Sequence, residues 1–212
     1  MDRSRRKGDK PSAASRGSLP PPGAAPVTHR LTKELARAES LAIMLATSRA
    51  AAFIDVADYL AGIYIYDWER LSKFWEDQDA ICEYLQRICR ISPESWHLWI
   101  EFYDKERRGE DRAKPRKFIG AASDGASARS PLGFSRDLAA VLKRAEAIAP
   151  HRDTFDGRAI PILTTECVLL SIVWNAESQI GRKVLETGLD VARLEQAARH
   201  PRHAPLHGDE GK

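Results

Sequence analysis

The sequence predicts an all-α fold, and three observations carry that prediction. Apolar residues recur at helical spacing through most of the chain, no stretch alternates convincingly with the period of a strand, and the helical segments start at recognisable caps. Two of these stretches, one near each end, align as degenerate copies of one helical unit.

Residues 1–29 are rich in Arg, Lys, Ser, Pro and Gly, with Pro20-Pro21-Pro22-Gly23 at their centre. They cannot bury enough apolar surface to offset the entropy of ordering, so a disordered basic tail is expected. Leu31 opens the first helical pattern, with Leu35, Ala38, Leu41, Ala42 and Leu45 on one stripe and Thr32 placed as its N-cap. A second helix is expected from about Asp55. From Ala80 the spacing of Ile81, Tyr84, Leu85 and Ile88 marks another amphipathic helix.

Ser92-Pro93-Glu94 combines a cap, a proline for the first helical position and an early acid, which is a strong helix start. Trp96, Trp99, Ile100 and Tyr103 then form its aromatic face. Mixed charges and a Gly/Ala/Ser run follow, so a linker is expected over about 108–132. Helical periodicity resumes at Phe134 and ends near Arg199, leaving a second disordered tail over 199–212.

Composition narrows the function classes. At 212 residues and 43% hydrophobic content the chain holds enough apolar material for one sizeable core or two small ones. Its formal charge of +3 is uneven: residues 1–30 carry seven Lys/Arg against two Asp/Glu, so the remainder is slightly acidic. The body is therefore not a basic nucleic-acid-binding domain, and nucleic acid is not the expected partner: Arg3, Arg5, Arg6 and Lys7, the residues of the N-terminal arm that would contact it or acidic proteins, read first as an unstructured solubilising tail.

Cys82, Cys89 and Cys167 are odd in number and lack C-x-x-C spacing, which argues against a disulfide framework or zinc ribbon and for a reducing cytoplasm. Arg5-Arg6 is not followed by the apolar run of an export signal, and no stretch approaches the ~18 consecutive apolar residues of a membrane span.

The internal repeat aligns Thr32 on Ser135, Leu31 on Phe134, Leu35 on Leu138, Ala36 on Ala139 and Ala42 on Ala145. Both copies open with an apolar residue, a hydroxyl cap and a basic residue. The second copy continues into Thr165-Glu166-Cys167-Val168-Leu169-Leu170-Ser171-Ile172 and then Val184-Leu185-Glu186-Thr187-Gly188-Leu189-Asp190. These phrases resemble the T-E-H-L-L-L-A-L and V-L-x-x-L-G-V-D pieces of the Clp N-terminal repeat, the docking module at the front of Clp unfoldases. In the first copy, Ile54 to Ile63 matches the same register in its apolar positions only, with Ala57 where the glutamate stands. Relative to the first copy, the second carries a short insertion within His151 to Ala159.

The resemblance covers about residues 30–198 and implies two four-helix repeats, about 30–107 and 133–198, packed with pseudo-twofold symmetry as one domain. It implies a non-catalytic protein-binding module whose partners are Clp ATPase or protease subunits or their client proteins. No G-x-x-x-x-G-K-[ST] loop is present, so no nucleotide chemistry of that kind and no cofactor are expected.

In Clp N-terminal domains of the Gram-positive type, the hydroxyl residue and the glutamate form a pocket for phosphorylated arginine. The chemistry is a helix N-terminus for the phosphate and a carboxylate for the guanidinium. On this pattern Ser135, Thr165 and Glu166 are the candidate binding residues of the second repeat and Thr32 of the first. Helix capping is the competing role for the three hydroxyls, and a dipole-favoured first-turn acid the competing role for Glu166. The alternative reading is a helical regulatory protein contacting nucleic acid through its basic arm. His200, His203 and His207 lack metal-ligand spacing and read as tail, Cys167 reads as a buried small apolar residue, and Trp96 and Trp99 read as core.

Overall fold

The computed structural model describes residues 29–108, 132–155, 157–175 and 178–200. Nearly all of the two expected tails and of the linker, including Arg3, Arg5, Arg6, Lys7, His203 and His207, lies outside the described residues.

The described chain is mostly helical. Helix α1 (Lys33–Ser48) begins at Thr32, whose Oγ1 accepts from the Leu35 amide, and it buries the predicted stripe of Leu35, Ala38, Leu41, Ala42 and Leu45. Helix α2 (Val56–Tyr66) begins at Asp55 in a reciprocal capping box with Asp58. A short α3 (Trp68–Leu71) and a 3-10 turn (Ser72–Phe74) lead into α4 (Gln78–Cys89), capped by Asp77. Pro93 is the first residue of α5 (Pro93–Arg108), and the Ser92 hydroxyl accepts from the Ser95 amide, as the sequence predicts. The second half contributes α6 (Arg136–Ile148), α7 (Thr165–Val173), α8 (Gln179–Glu186) and α9 (Val191–Arg199).

Helices α2 and α7 are buried along their whole length, which explains why VADYLAGIYIY and TECVLLSIV carry apolar or small residues on every face. They pack on each other at the centre. Helices α1, α4 and α5 pack around α2, while α6, α8 and α9 pack around α7. Gly62 allows the close approach of α1 and α2, because a Cβ there would lie 2.4 Å from the Ala38 carbonyl oxygen. Trp96 is fully buried with its ring 6.2 Å from Tyr64, and Trp99 stacks on Tyr103 at 6.0 Å, so both sit with the core.

The expectation that no segment forms a strand needs correction. Strands β1 (Arg30–Leu31), β2 (Phe53–Ile54), β3 (Gly133–Phe134), β4 (Arg152–Phe155) and β5 (Arg158–Leu163) make two small sheets, ordered β1-β5-β4 and β2-β3. The β4–β5 hairpin occupies the stretch read as an insertion in a helical run. Gly157 lies between the two strands at φ +72°, and the Asp-Gly dipeptide it completes in the sequence is a hairpin signal in its own right. Ile160 to Leu163 are buried on consecutive positions, so both faces of β5 are covered there, and that hides the period of a strand.

The two parallel pairings are reciprocal between the halves. Strand β1, which precedes α1, pairs with β5, which precedes α7; strand β2, which precedes α2, pairs with β3, which precedes α6. The Thr32 amide donates to the Leu163 carbonyl at 3.0 Å, and the Ser135 amide donates to the Ile54 carbonyl at 2.9 Å. The caps match in conformation as well: Thr32 and Ser135 have φ/ψ of −64°/162° and −62°/158°, and Asp55 and Thr164 have −104°/178° and −111°/164°.

Candidate functional site

Each helix start of the central pair holds a carboxylate matched to an arginine. At α2 the carboxylate is Asp58, fully buried, whose Oδ1 accepts from Arg49. Burial pushes its carboxyl above the usual range, against the pull of the Asp55 amide and Arg49. Ala57, in the glutamate position of the motif, is packed in the core and accepts a Cys89 thiol bond on its carbonyl.

At α7 the arrangement is larger. The cap is Thr164, whose Oγ1 accepts from the Cys167 amide at 3.3 Å, so the Thr165 hydroxyl is left for other partners. Arg70 of α3 reaches into this corner: Nε donates to Asp67 Oδ2 at 2.7 Å, Nη2 donates to Asp67 and to the Thr165 hydroxyl, and Nη1 donates to Glu166 Oε1. The Thr165 hydroxyl lies 3.4 Å from Asp67 Oδ2 and 3.3 Å from Glu166 Oε2. All three partners of Arg70 are buried.

Charge balance explains why the cluster holds together. Burial raises the Asp67 carboxyl, opposed by Arg70. Burial by itself would lower the Arg70 guanidinium, but Asp67 and Glu166 outweigh it and raise the group further. Glu166 also sits in the first turn of α7, where the helix dipole favours an acid.

The structure divides the predicted site residues between two corners. Thr165 and Glu166 stand together on Arg70. Thr32 stands beside them along the backbone, one residue beyond the β1–β5 ladder that ends at Leu163. Ser135 belongs to the other corner: it caps α6 through the Leu138 amide and its own amide bonds Ile54 at the start of α2, and none of its bonds leads to Thr165 or Glu166. The reciprocal strand exchange is the reason, since it carries each helix opening of one half to the central helix of the other.

Beside the Arg70 corner lies an open cavity of about 480 Å³. Arg70, Lys73, Phe74, Glu166, Arg193 and Ala197 line it, drawn from α3, the 3-10 turn, α7 and α9. Arg193 Nη1 donates to the Lys73 carbonyl at 2.8 Å, and its guanidinium lies 6.0 Å from the Phe74 ring centroid. The Asp190 amide donates to the Phe74 carbonyl at 2.7 Å, and the Glu76 amide to the Gly188 carbonyl at 3.1 Å. Gly188 takes φ +78° with Glu76 against it, so the glycine of the second family-like phrase has a conformational reason to be there.

Sequence reasoning missed Arg70, Lys73 and Arg193. The Asp67 and Arg70 spacing of three is a readable local pair, but its reach to Thr165 and Glu166 depends on tertiary packing. The cysteines are free: Cys89 and Cys167 are buried, Cys82 is half-buried, and burial raises all three thiols, Cys89 to about 12. His200 borders the cavity, and among the described residues no group of His, Cys, Asp or Glu is arranged to hold a metal ion. No helix among them is long and apolar enough to cross a membrane.

A scan of the chain against protein-family models and a search of curated proteins find no match.

Proposed function

We propose that the chain is a cytoplasmic, non-catalytic protein-binding module built from two four-helix repeats of the Clp N-terminal kind, docking Clp subunits or their clients. One observation carries this reading: the Thr32 amide on Leu163 and the Ser135 amide on Ile54 are equivalent bonds made in opposite directions between the halves. Two copies of one unit related by a pseudo-twofold axis make such a pair, and the similar packing around α2 and α7 agrees with it.

The Arg70 corner fits docking better than chemistry. Both of its carboxylates are already hydrogen-bonded to a cation of the same chain. A phosphoarginine client would meet Glu166 only after the Arg70 guanidinium withdraws, so the family's pocket, if it operates here, is gated by Arg70.

The test is direct association. The full chain is immobilised and a purified Clp unfoldase, or a Clp substrate protein, is passed over it while the degradation rate of that substrate is followed in parallel. Saturable binding together with a changed degradation rate is expected. No binding of either protein across the micromolar range overturns the reading.

A further inference from the structure

We infer that the cavity between the Ser72–Phe74 turn and α9 receives an acidic side chain from an extended segment of a partner protein, with Lys73 and Arg193 as its donors. The inference deepens the protein-binding proposal and rests on it.

The charges on the cavity wall do not balance internally. Arg70 is bonded by two carboxylates, Asp67 and Glu166, and Lys73 and Arg193 face the same space with two positive charges against that cluster's single negative excess. Among the described residues no carboxylate pairs with either. Glu166, the acid on the wall, is bonded through Oε1 to Arg70 and through Oε2 to the Thr165 hydroxyl, not to Lys73 or Arg193. The cavity therefore presents two cations with no carboxylate bonded to either, beside a cluster in which one guanidinium faces two carboxylates, so the wall keeps a single positive charge in excess, enough for one acidic side chain, and field lines concentrate in such a recess.

Geometry adds direction to the charge. The bond from Arg193 Nη1 to the Lys73 carbonyl fixes the guanidinium across Phe74 while leaving its other N–H groups available. An arginine held in this way loses less freedom on accepting a carboxylate, and its planar fork suits two carboxylate oxygens at once. Phe74 and Ala197 supply an apolar wall on which the methylenes of a glutamate, or the neighbour of an acidic residue, can lie. A space of about 480 Å³ takes one or two side chains and not a folded surface. A carboxylate on a peptide satisfies both charge and wall, whereas a free small anion uses only the charge.

The experiment uses the full chain and a fluorescein-labelled twelve-residue peptide containing three glutamates among alanine and leucine, read by fluorescence anisotropy. Its isostere with glutamine at the three positions and free glutarate as competitor are the comparison arms. Saturable binding of the glutamate peptide is expected, weakened about tenfold or more by Lys73→Glu or Arg193→Gln and reduced as salt rises from 50 to about 300 mM. The Lys143→Glu variant, which makes the same charge change outside the cavity, is expected to bind as the wild type does. Lys73 is exposed, so Lys73→Glu is expected to keep the wild-type melting curve.

Equal binding of the glutamine peptide, equal binding by Lys73→Glu, or no binding by the wild type overturns the inference. Glutarate displacing the peptide at equal concentration overturns the claim for a peptide segment. Association with a Clp unfoldase that persists while the peptide arms fail leaves the protein-binding proposal standing without this cavity.

Discussion

Arg70 and Glu166, 96 residues apart in the chain, form an ion pair at the start of α7 in which the carboxylate is buried and the guanidinium half-buried. The same guanidinium holds Asp67 and the Thr165 hydroxyl, so one side chain from the first half satisfies three polar groups that the fold has taken out of water. Removing it would leave two carboxylates buried without a cation. Arg70→Ala is expected to destabilise the protein by about 3–5 kcal/mol, and adding Glu166→Gln to that variant is expected to recover part of the loss. Equilibrium unfolding in urea measures both, and a single-variant cost under about 1 kcal/mol would show that the pair is solvated.

Gly62 gives a packing prediction of a different kind. A Cβ at this position meets the backbone of α1, with Ala38 O at 2.4 Å and Ala42 N at 3.1 Å, and backbone cannot swing aside as a side chain does. Although alanine is the better helix former, Gly62→Ala is expected to cost about 1–3 kcal/mol or more by forcing α1 and α2 apart. A thermal melt at or above the wild-type midpoint would contradict this.

Glu39 supplies the pH dependence. Burial raises its carboxyl, opposed by the Tyr59 hydroxyl, which donates at 3.0 Å, and by His29. A carboxyl raised on folding favours the native state below its unfolded value of about 4.3, and this contribution is lost as pH rises through the folded value. Glutamine keeps an acceptor for Tyr59 and removes the charge. The stability of Glu39→Gln relative to wild type is therefore expected to increase between about pH 4 and pH 7. Denaturation curves across that range check it, and a constant difference would refute it.

The reciprocal strands predict how the halves hold together. The first half contributes β1 and β2, the second contributes their partners, and the Trp75 indole donates to Thr187 Oγ1 at 3.0 Å across the same seam. A protease site inserted within 109–131 and cut to completion is expected to leave two pieces that co-elute on size exclusion and separate only in denaturant. Separation in native buffer would mean that the seam is weaker than these bonds imply.

What the sequence revealed followed the range of each interaction. Thr32, Ser92-Pro93 and the α1 stripe were legible because capping and periodicity are local, and the alignment of Thr32 with Ser135 anticipated two caps of nearly equal conformation. Thr165 has the residue type of a cap, yet Thr164 takes that role, a shift of one position at a helix end. Two-residue strands such as β1 and β2 are too short to alternate, and β5 is buried on consecutive positions, so neither carried a strand signal. Arg70 was invisible for a stronger reason. Nothing near Trp68 or Leu71 marks it as the partner of Thr165 and Glu166, because that contact exists only once the halves have met.

The ladder between Leu31 and Leu163 also sets a timetable. Leu163 follows Leu31 by 132 residues, and a ribosome adding roughly 5–20 residues per second needs about 7–26 s to cover that distance. During that interval the emerging α1 can form its turns, but the amide of its cap residue must be satisfied by water. Helical bundles ordinarily fold fast because their contacts are near in sequence. Here the pairing of β1 waits on a partner strand far downstream, and that part of the fold forms late, however early α1 emerges.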